Sequence, residues 1–321
     1  MIKSWNGDVR MYNGIINVYK EKGYTSFDVV AKLRGILKQK KIGHTGTLDP
    51  DAEGVLVVCL GNATKICDLL TDKDKRYEAT LLLGKTSDTE DSSGEILSES
   101  EVKSSEDEVR NAIMSFVGEY DQIPPMYSAI KVNGKKLYEF ARQGIEIERS
   151  PRPVVIHDID IKDISLPYVR FSVSCSKGTY IRSLCRDIGD KLICGGLMDG
   201  LVRNSVNISE TGMRFDIKDA LKLKDIEKLV EVSEFEKYIL TIDKMFPNLK
   251  KVLVNDNGSK RLRNGNVLFK KDFLNHGDEA YSMPEKEDGT ECLVYDADGT
   301  FKAIYRYDES IHGWKAYKMF F

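Results

Sequence analysis

Long apolar runs are missing from this sequence. Stretches such as GVLVVCLG at 54–61 fall far short of the roughly 18 residues that a membrane-spanning helix needs, so no span is expected. The first residues, MIKSWNGDVRMYNG, carry charges with no apolar stretch behind them, which argues against an export signal and makes the cytoplasm the expected location. Cysteine is sparse and unpatterned: six residues in 321, with no CxxC spacing and no histidine close by. That excludes a disulfide framework or a zinc site. Cys59, Cys67, Cys175, Cys185 and Cys194 fall in apolar patterns, as buried thiols do. A phosphate-cradling glycine loop is absent too, and neither a metal nor a cofactor is expected. No fixed-period repeat or low-complexity segment occurs.

A net charge of −3 does not mark a nucleic-acid binder, but the average conceals segregation. Residues 88–108 hold nine carboxylates against Lys103 alone. Residues 32–41 carry Lys32, Arg34, Lys38, Lys40 and Lys41, and residues 131–152 carry Lys131, Lys135, Lys136, Arg142, Arg149 and Arg152. A basic face can hold a polyanion while acidic segments point elsewhere.

The length allows one sizeable domain and a smaller companion. GIINVY at 14–19 reads as a strand, and Thr25 or Ser26 offers a cap for a helix buried through Val29, Val30, Leu33, Ile36 and Leu37. RYEATLLLG at 76–84 reads as a strand with Tyr77 near its start, and YVRFSVSCSKG at 168–178 alternates as a half-buried strand. Beyond Gly178, the spacing of Ile181, Leu184, Cys185, Ile188 and Leu192 predicts a helix capped by Thr179, with Tyr180 and Arg182 at its first turn. Residues 216–244 look helical and charged. From about 248 onward, short strands such as KKVLV, ECLVYDADG and FKAIYRY are separated by Gly, Asn and Asp turns.

Residues 43–54, GHTGTLDPDAEG, place a histidine and three carboxylates between glycines with no clear helix or strand period. A solvated polar turn is the ordinary reading. Asp49 and Asp51 as a Mg²⁺-holding phosphatase pair would need an apolar strand ending at Asp49, and KIGHTGTL is not one. Glycosidic chemistry is the other reading. A lone aspartate there attacks an anomeric carbon or takes a sugar proton, and either role needs the carboxylate ionised by a cationic partner.

Five blocks in order resemble the TruB family of tRNA pseudouridine synthases: GIINVYKEKGYTSFDVV, KKIGHTGTLDPDAEGVLVVCLGNATK, DKRYEATLLLGKTSDTEDSSGEI, QIPPMYSAIKVNGKKLYEFARQGIEIERSPRPV and CSKGTYIRSLCRDIGDKL. The resemblance spans roughly residues 14–205. It implies an α+β catalytic domain around a mixed, mostly antiparallel sheet over 1–245, with an RNA-gripping arm at about 125–152, and a small β-rich PUA-like domain over 246–321. It implies uridine-55 of the tRNA T-loop as substrate, for a stand-alone monomer without guide RNA or protein partner. Asp49 is then the catalytic aspartate, Arg182 the partner of its carboxylate, Tyr77 the aromatic beside the target base and Tyr180 a wall of the pocket. His44 would hold the flipped-out RNA loop. Lys20, Leu201, Lys131, Lys135, Lys136 and Arg142 would contact substrate, and Lys260, Arg261 and Arg263 the tRNA stem. Glu21, Asp51 and Glu53 depart from the family's usual proline, leucine and threonine. A tRNA-remodelling chaperone is the competing expectation.

Overall fold

The computed structural model describes residues 11–70, 73–208, 211–274 and 281–321. The first ten residues, read above for a leader, lie outside the described residues. The chain opens with β1 (Gly14–Lys20), α1 (Ser26–Leu37), β2 (Ile42–His44), β3 (Glu53–Leu60) and β4 (Lys73–Leu83). A hairpin, β5 (Lys85–Ser87) with β6 (Ile96–Glu99), leads into α2 (Glu106–Met114) and β7 (Gly118–Gln122). The arm follows as a small hairpin, β8 (Lys131–Val132) with β9 (Lys135–Lys136), and a short helix α3 (Leu137–Ala141). Next come β10 (Arg152–Ser165), β11 (Tyr168–Cys175), α4 (Ile181–Lys191), β12 (Gly196–Ile208), β13 (Met213–Asp216) and α5 (Leu223–Glu231). The last part holds β14 (Lys250–Leu253), α6 (Asp256–Arg263), β15 (Glu291–Tyr295), β16 (Phe301–Asp308) and β17 (Gly313–Met319).

Thr25 caps α1. Its hydroxyl accepts from Asp28 N at 3.0 Å while Asp28 accepts from Thr25 N at 2.8 Å, so two orphan donors are satisfied reciprocally. Val29, Val30, Leu33 and Leu37 then face the sheet. The sheet has nine strands, ordered β1-β3-β12-β4-β11-β10-β7, with β2 also on β3 and β13 on β12. Its pairings are antiparallel except β3 with β12, which run parallel for two register pairs, Val202↔Glu53 and Arg203↔Gly54. Past that point β2 takes over the edge of β3, beginning at His44↔Val58. The sheet forks there, and residues 45–52 fill the fork.

The fold is therefore the expected α+β, with a mixed, mostly antiparallel sheet and a β-rich C-terminal part. Two local expectations change. Strand β4 begins at Lys73 rather than near Tyr77, because β12 continues beside it to Ile208↔Lys73. Residues 216–244 hold only the nine-residue α5 and short 3-10 turns. Ser233 turns left-handed at φ 59, and Leu240 exchanges two 2.8 Å backbone hydrogen bonds with Ile15, so the chain is drawn back along the edge of β1.

In the C-terminal sheet, β14 pairs with β15 in parallel, and β16 and β17 follow antiparallel. This sheet does not float free. Leu293, Tyr295, Ile304 and Phe320 share one apolar cluster with Ile15, Val55, Val57 and Val206 of the large sheet. Tyr295 donates to Asp243 at 2.8 Å, and Asn62 donates to the Phe320 carbonyl at 3.2 Å.

Gly54 shows how tight the fork is. At φ 104 it occupies a conformation that side chains disfavour, and an added Cβ would lie 2.3 Å from the Arg203 carbonyl oxygen. Gly54→Ala should destabilise by about 2 kcal/mol or more. Gly43→Ala meets nothing closer than 3.6 Å and should melt near wild type. Thermal unfolding of the pair checks this.

Candidate active site

Three side chains hold residues 45–55 by their backbone. Ser26, the first residue of α1, accepts from Leu48 N at 2.9 Å and donates to Leu48 O at 3.3 Å. Lys20, at the end of β1, is wholly buried and donates from Nζ to the carbonyls of Ala52 at 2.6 Å, Pro50 at 3.0 Å and Glu21 at 3.3 Å. Arg203, on β12 where the sheet forks, donates from Nε to Val55 O at 2.7 Å and from its terminal nitrogens to Gly46 O at 3.1 Å and Thr47 O at 3.4 Å. Each grip supplies donors to carbonyls that the irregular turn leaves without a strand partner.

With its neighbours pinned, Asp49 projects toward Arg182. Arg182 reaches it with Nε at 3.1 Å from Oδ2 and Nη2 at 3.4 Å from Oδ1. The guanidinium is buried and also donates to Thr89 O at 3.0 Å and Tyr127 O at 2.9 Å, with Asp91 at 3.8 Å. A cation in the first turn of a helix opposes the helix dipole, and these oxygens offset that cost. The cap of α4 is Tyr180 rather than the expected Thr179, whose hydroxyl instead donates back to Ser176 O at 3.0 Å.

The charge balance around Asp49 differs from the simple ion pair. Burial is the largest influence and raises its pKa; Arg182 and Lys20 pull it down, while Asp91 and Asp51 push it up, and the net shift is upward from 3.8. Arg182 limits the rise rather than abolishing it. Burial lowers Lys20 to about 8, against the raising pull of Asp49, Glu53 and Asp51. Burial pushes Tyr77 up to about 12, with the Arg203 guanidinium opposing.

A cavity of about 290 Å³ opens over Asp49, walled by Asp91, Tyr127, Tyr138, Arg142, Arg182 and Leu201. A larger one of about 800 Å³ lies between α1 and α5 and does not include Asp49. Tyr77 is 7% exposed and sits in the core beneath the turn beside Leu48 and Ala52, so it offers little ring surface in this state. Tyr180 is half-buried and fixed through its backbone, whose N–H donates to Gln122 Oε1 at 2.7 Å. His44 ends β2 edge-on to the exposed ring of Phe27, centroids 5.4 Å apart.

The structure thus gathers Asp49, Arg182, Leu201 and Arg142 at one cavity, with Tyr77 below it. Lys131 and Lys135 stand exposed on the arm, and Lys136 lies over the Tyr138 ring at 5.3 Å. None of these three lysines lines the cavity. Lys20 needs correction: a wholly buried ammonium spent on three carbonyls cannot meet substrate, and it positions the turn instead. On α6, Arg261 is tied to Val267 O at 2.9 Å and Asp272 at 3.4 Å, Arg263 approaches Asp296 at 3.8 Å, and Lys260 is exposed. Sequence reasoning missed the grips of Ser26 and Arg203. Neither residue type nor spacing shows which carbonyls a folded turn leaves open, and for Ser26 the only signal is the helix start.

Known proteins resemble this chain in sequence and fold. The family described as TruB family pseudouridylate synthase (N terminal domain) matches residues 34–181. A tRNA pseudouridine synthase B from Lachnoclostridium phytofermentans is 54% identical over 316 residues, covering 96% of this chain and 99% of the relative. The chain belongs to the TruB family. A second relative in the family, the tRNA pseudouridine synthase B of Alkaliphilus oremlandii, is 50% identical over 257 residues, 80% of this chain and 83% of its own. Among solved structures, a chain of a Cbf5-Nop10-Gar1 complex superposes with a TM-score of 0.65 at 25% identity, covering 96% of this chain and 85% of that one. That superposition extends over the C-terminal sheet as well.

Two outcomes follow from the turn's supports. Lys20→Met should lower the melting temperature and reduce kcat more than KM, because it loosens the turn without touching the cavity wall; a stopped-flow or single-turnover assay separates the two. Asp49 has a raised folded pKa, so the folded state binds its proton more tightly than the unfolded chain, and ionising it costs stability as pH rises through that window. Asp49→Asn should therefore melt no lower than wild type at neutral pH, while the wild-type activity falls on the acid side at a pH above 3.8.

Proposed function

We propose that this protein isomerises uridine to pseudouridine at position 55 in the T-loop of tRNA. The observation that carries the reading is a single carboxylate, Asp49, aimed into a cavity by a buried arginine on a turn gripped from three sides. The reaction breaks the N1–C1′ bond, turns the uracil, joins C5 to C1′, and moves a proton off C5 while N1 gains one. Atoms are conserved, so no redox partner or phosphate donor enters the balance. Asp49 acts ionised, by attacking C1′ or by taking the 2′ proton. Arg182 holds and aims it.

The target base is unreachable inside a stacked loop and must be flipped out, with protein rings filling the gap. The ring pair of His44 and the exposed Phe27 suits that role, and the resemblance gives Tyr180 as a wall of the pocket. Tyr77 supports the pocket floor with a neutral phenol at physiological pH, since its pKa is raised to about 12. That makes it a contact for the uracil edge rather than a ready acceptor of the C5 proton. Lys131, Lys135, Lys136 and Arg142 on the arm provide phosphate contacts, which position the RNA without reading sequence.

In this reading residues 1–245 form the catalytic domain and 246–321 a PUA-like module for the tRNA stem, where Lys260 is the freest of the basic side chains on α6. The protein acts in the cytoplasm as a monomer, without guide RNA or protein partner. The chaperone alternative has no observation in its favour beyond RNA binding itself, which both readings share.

The test is tritium release from tRNA labelled at uracil C5, in EDTA, for wild type and Asp49→Asn side by side. Release of about one equivalent per tRNA by wild type alone is expected, with tRNA affinity of the variant changed little because phosphate contacts dominate binding. Appreciable turnover by Asp49→Asn would sink the assignment. No release by either protein would return the chaperone reading.

A further inference from the structure

Beside the catalytic pair lies a second buried ion network that the reaction chemistry does not use. Its centre is Glu90, in the loop between β5 and β6. The residue is 8% exposed, and its backbone is left-handed at φ 63, a conformation that a residue with a side chain keeps only where its surroundings fix it. They do. Ser183 donates to Glu90 Oε2 at 2.8 Å, Arg186 forms a close ion pair with Oε1, and Arg149 lies 3.9 Å from the same oxygen.

These three partners come from different places. Ser183 and Arg186 lie on α4, directly after and one turn beyond Arg182. Arg149 belongs to the end of the arm, where it donates to Pro124 O at 3.1 Å, and Arg186 donates to Ile123 O at 3.1 Å. Ile123 and Pro124 are where the arm leaves β7, so both ends of the arm are tied into the network. Glu90 is equally close to the catalytic arginine through its own chain neighbours. The carbonyl of Thr89 accepts from Arg182 at 3.0 Å, and the carboxylate of Asp91 lies 3.8 Å from it.

Two guanidinium groups, Arg149 and Arg186, face three carboxylates: Glu90 between them, Asp187 bound by Arg186 at 2.7 Å, and the exposed Glu146 at 3.6 Å from Arg149. The balance is incomplete in one respect: Arg149 Nε is buried with no hydrogen-bond partner among the described residues. A buried donor left open is costly, and this one sits at the root of the arm.

We propose that Glu90 is a positioning residue, a latch that couples the arm over the RNA to the orientation of Arg182, and so to Asp49. This rests on the function proposed above. When the arm root seats Arg149 against Glu90, the loop 89–91 is held on α4 and presents the Thr89 carbonyl and the Asp91 carboxylate to Arg182. When the root lifts, those two ligands lose their anchor, and Arg182 loses its aim at Asp49. RNA binding by the arm's lysines thereby reports to the reacting carboxylate, so that chemistry waits for a gripped substrate.

The experiment compares Glu90→Gln, Arg149→Met and the double variant with wild type. Single-turnover tritium release, tRNA affinity, melting temperature and tryptic cleavage at the arm lysines are measured on each. Each single variant should lose about tenfold in turnover rate at saturating tRNA while Kd changes by less than about twofold, and the double variant should lose about tenfold rather than about a hundredfold, since both remove one coupling. Tryptic cleavage of the arm in the tRNA complex should accelerate in all three. Turnover within twofold of wild type for both single variants overturns the latch, as does an additive hundredfold loss in the double variant. Should Glu90→Gln fail to fold, Arg149→Met alone carries the test through the same split between rate and Kd. If wild type itself releases no tritium, the proposed reaction fails, and the latch is then judged by arm cleavage alone: unchanged cleavage in Arg149→Met overturns it.

Discussion

Cations gripping backbone carbonyls are the constraint on which this molecule depends. The sheet forks where β12 parts from β3, and the chain that fills the fork has carbonyls that no strand can satisfy. Lys20 and Arg203 satisfy them, with Ser26 at the third side. A buried ammonium and a buried guanidinium are expensive unless fully engaged, and here the expense and the open carbonyls cancel each other. The consequence is a turn rigid enough to aim one carboxylate although it has no regular structure of its own. Catalytic groups must be held to within about half an ångström, and loops rarely manage this without such a supporting shell.

The same supports set the electrostatics. Asp49 is surrounded by two cations and two other carboxylates in a partly dry cavity, and burial outweighs the cations. A carboxylate that the fold ionises reluctantly is more basic and less solvated than one in water, which suits the role proposed for Asp49. The fold surrenders some stability at that point, as active sites commonly do.

How much of this was readable from the sequence differs residue by residue. Helix α1, its Thr25 cap and the alternation of β11 were legible because period and cap chemistry are local. Tyr77 was placed at a strand start because Lys73–Arg76 are polar, yet β12 extends the ladder past them. The helical reading of 216–244 held for Leu223–Glu231 and stopped there for a tertiary reason, the left-handed turn at Ser233 and the pairing of Leu240 with Ile15. Asp49 and Arg182 lie 133 positions apart, so their meeting came from resemblance and not from spacing. Lys20 was an RNA contact by resemblance alone, and VYKEKG carries no sign that its ammonium is buried. Glu90 was lost in a run of nine carboxylates, from which only the fold separates one buried side chain.

The apolar cluster that joins Ile15, Val55 and Val206 to Leu293, Ile304 and Phe320 packs the C-terminal sheet directly against the large one. Packed interiors are stiff, so the separation between α6 and Asp49 is a fixed length rather than a range. An RNA stem resting on the one and a loop entering the other would be measured as between the jaws of a caliper. Selection of a single uridine can then come from the distance along a folded arm, with little need to read the bases in between.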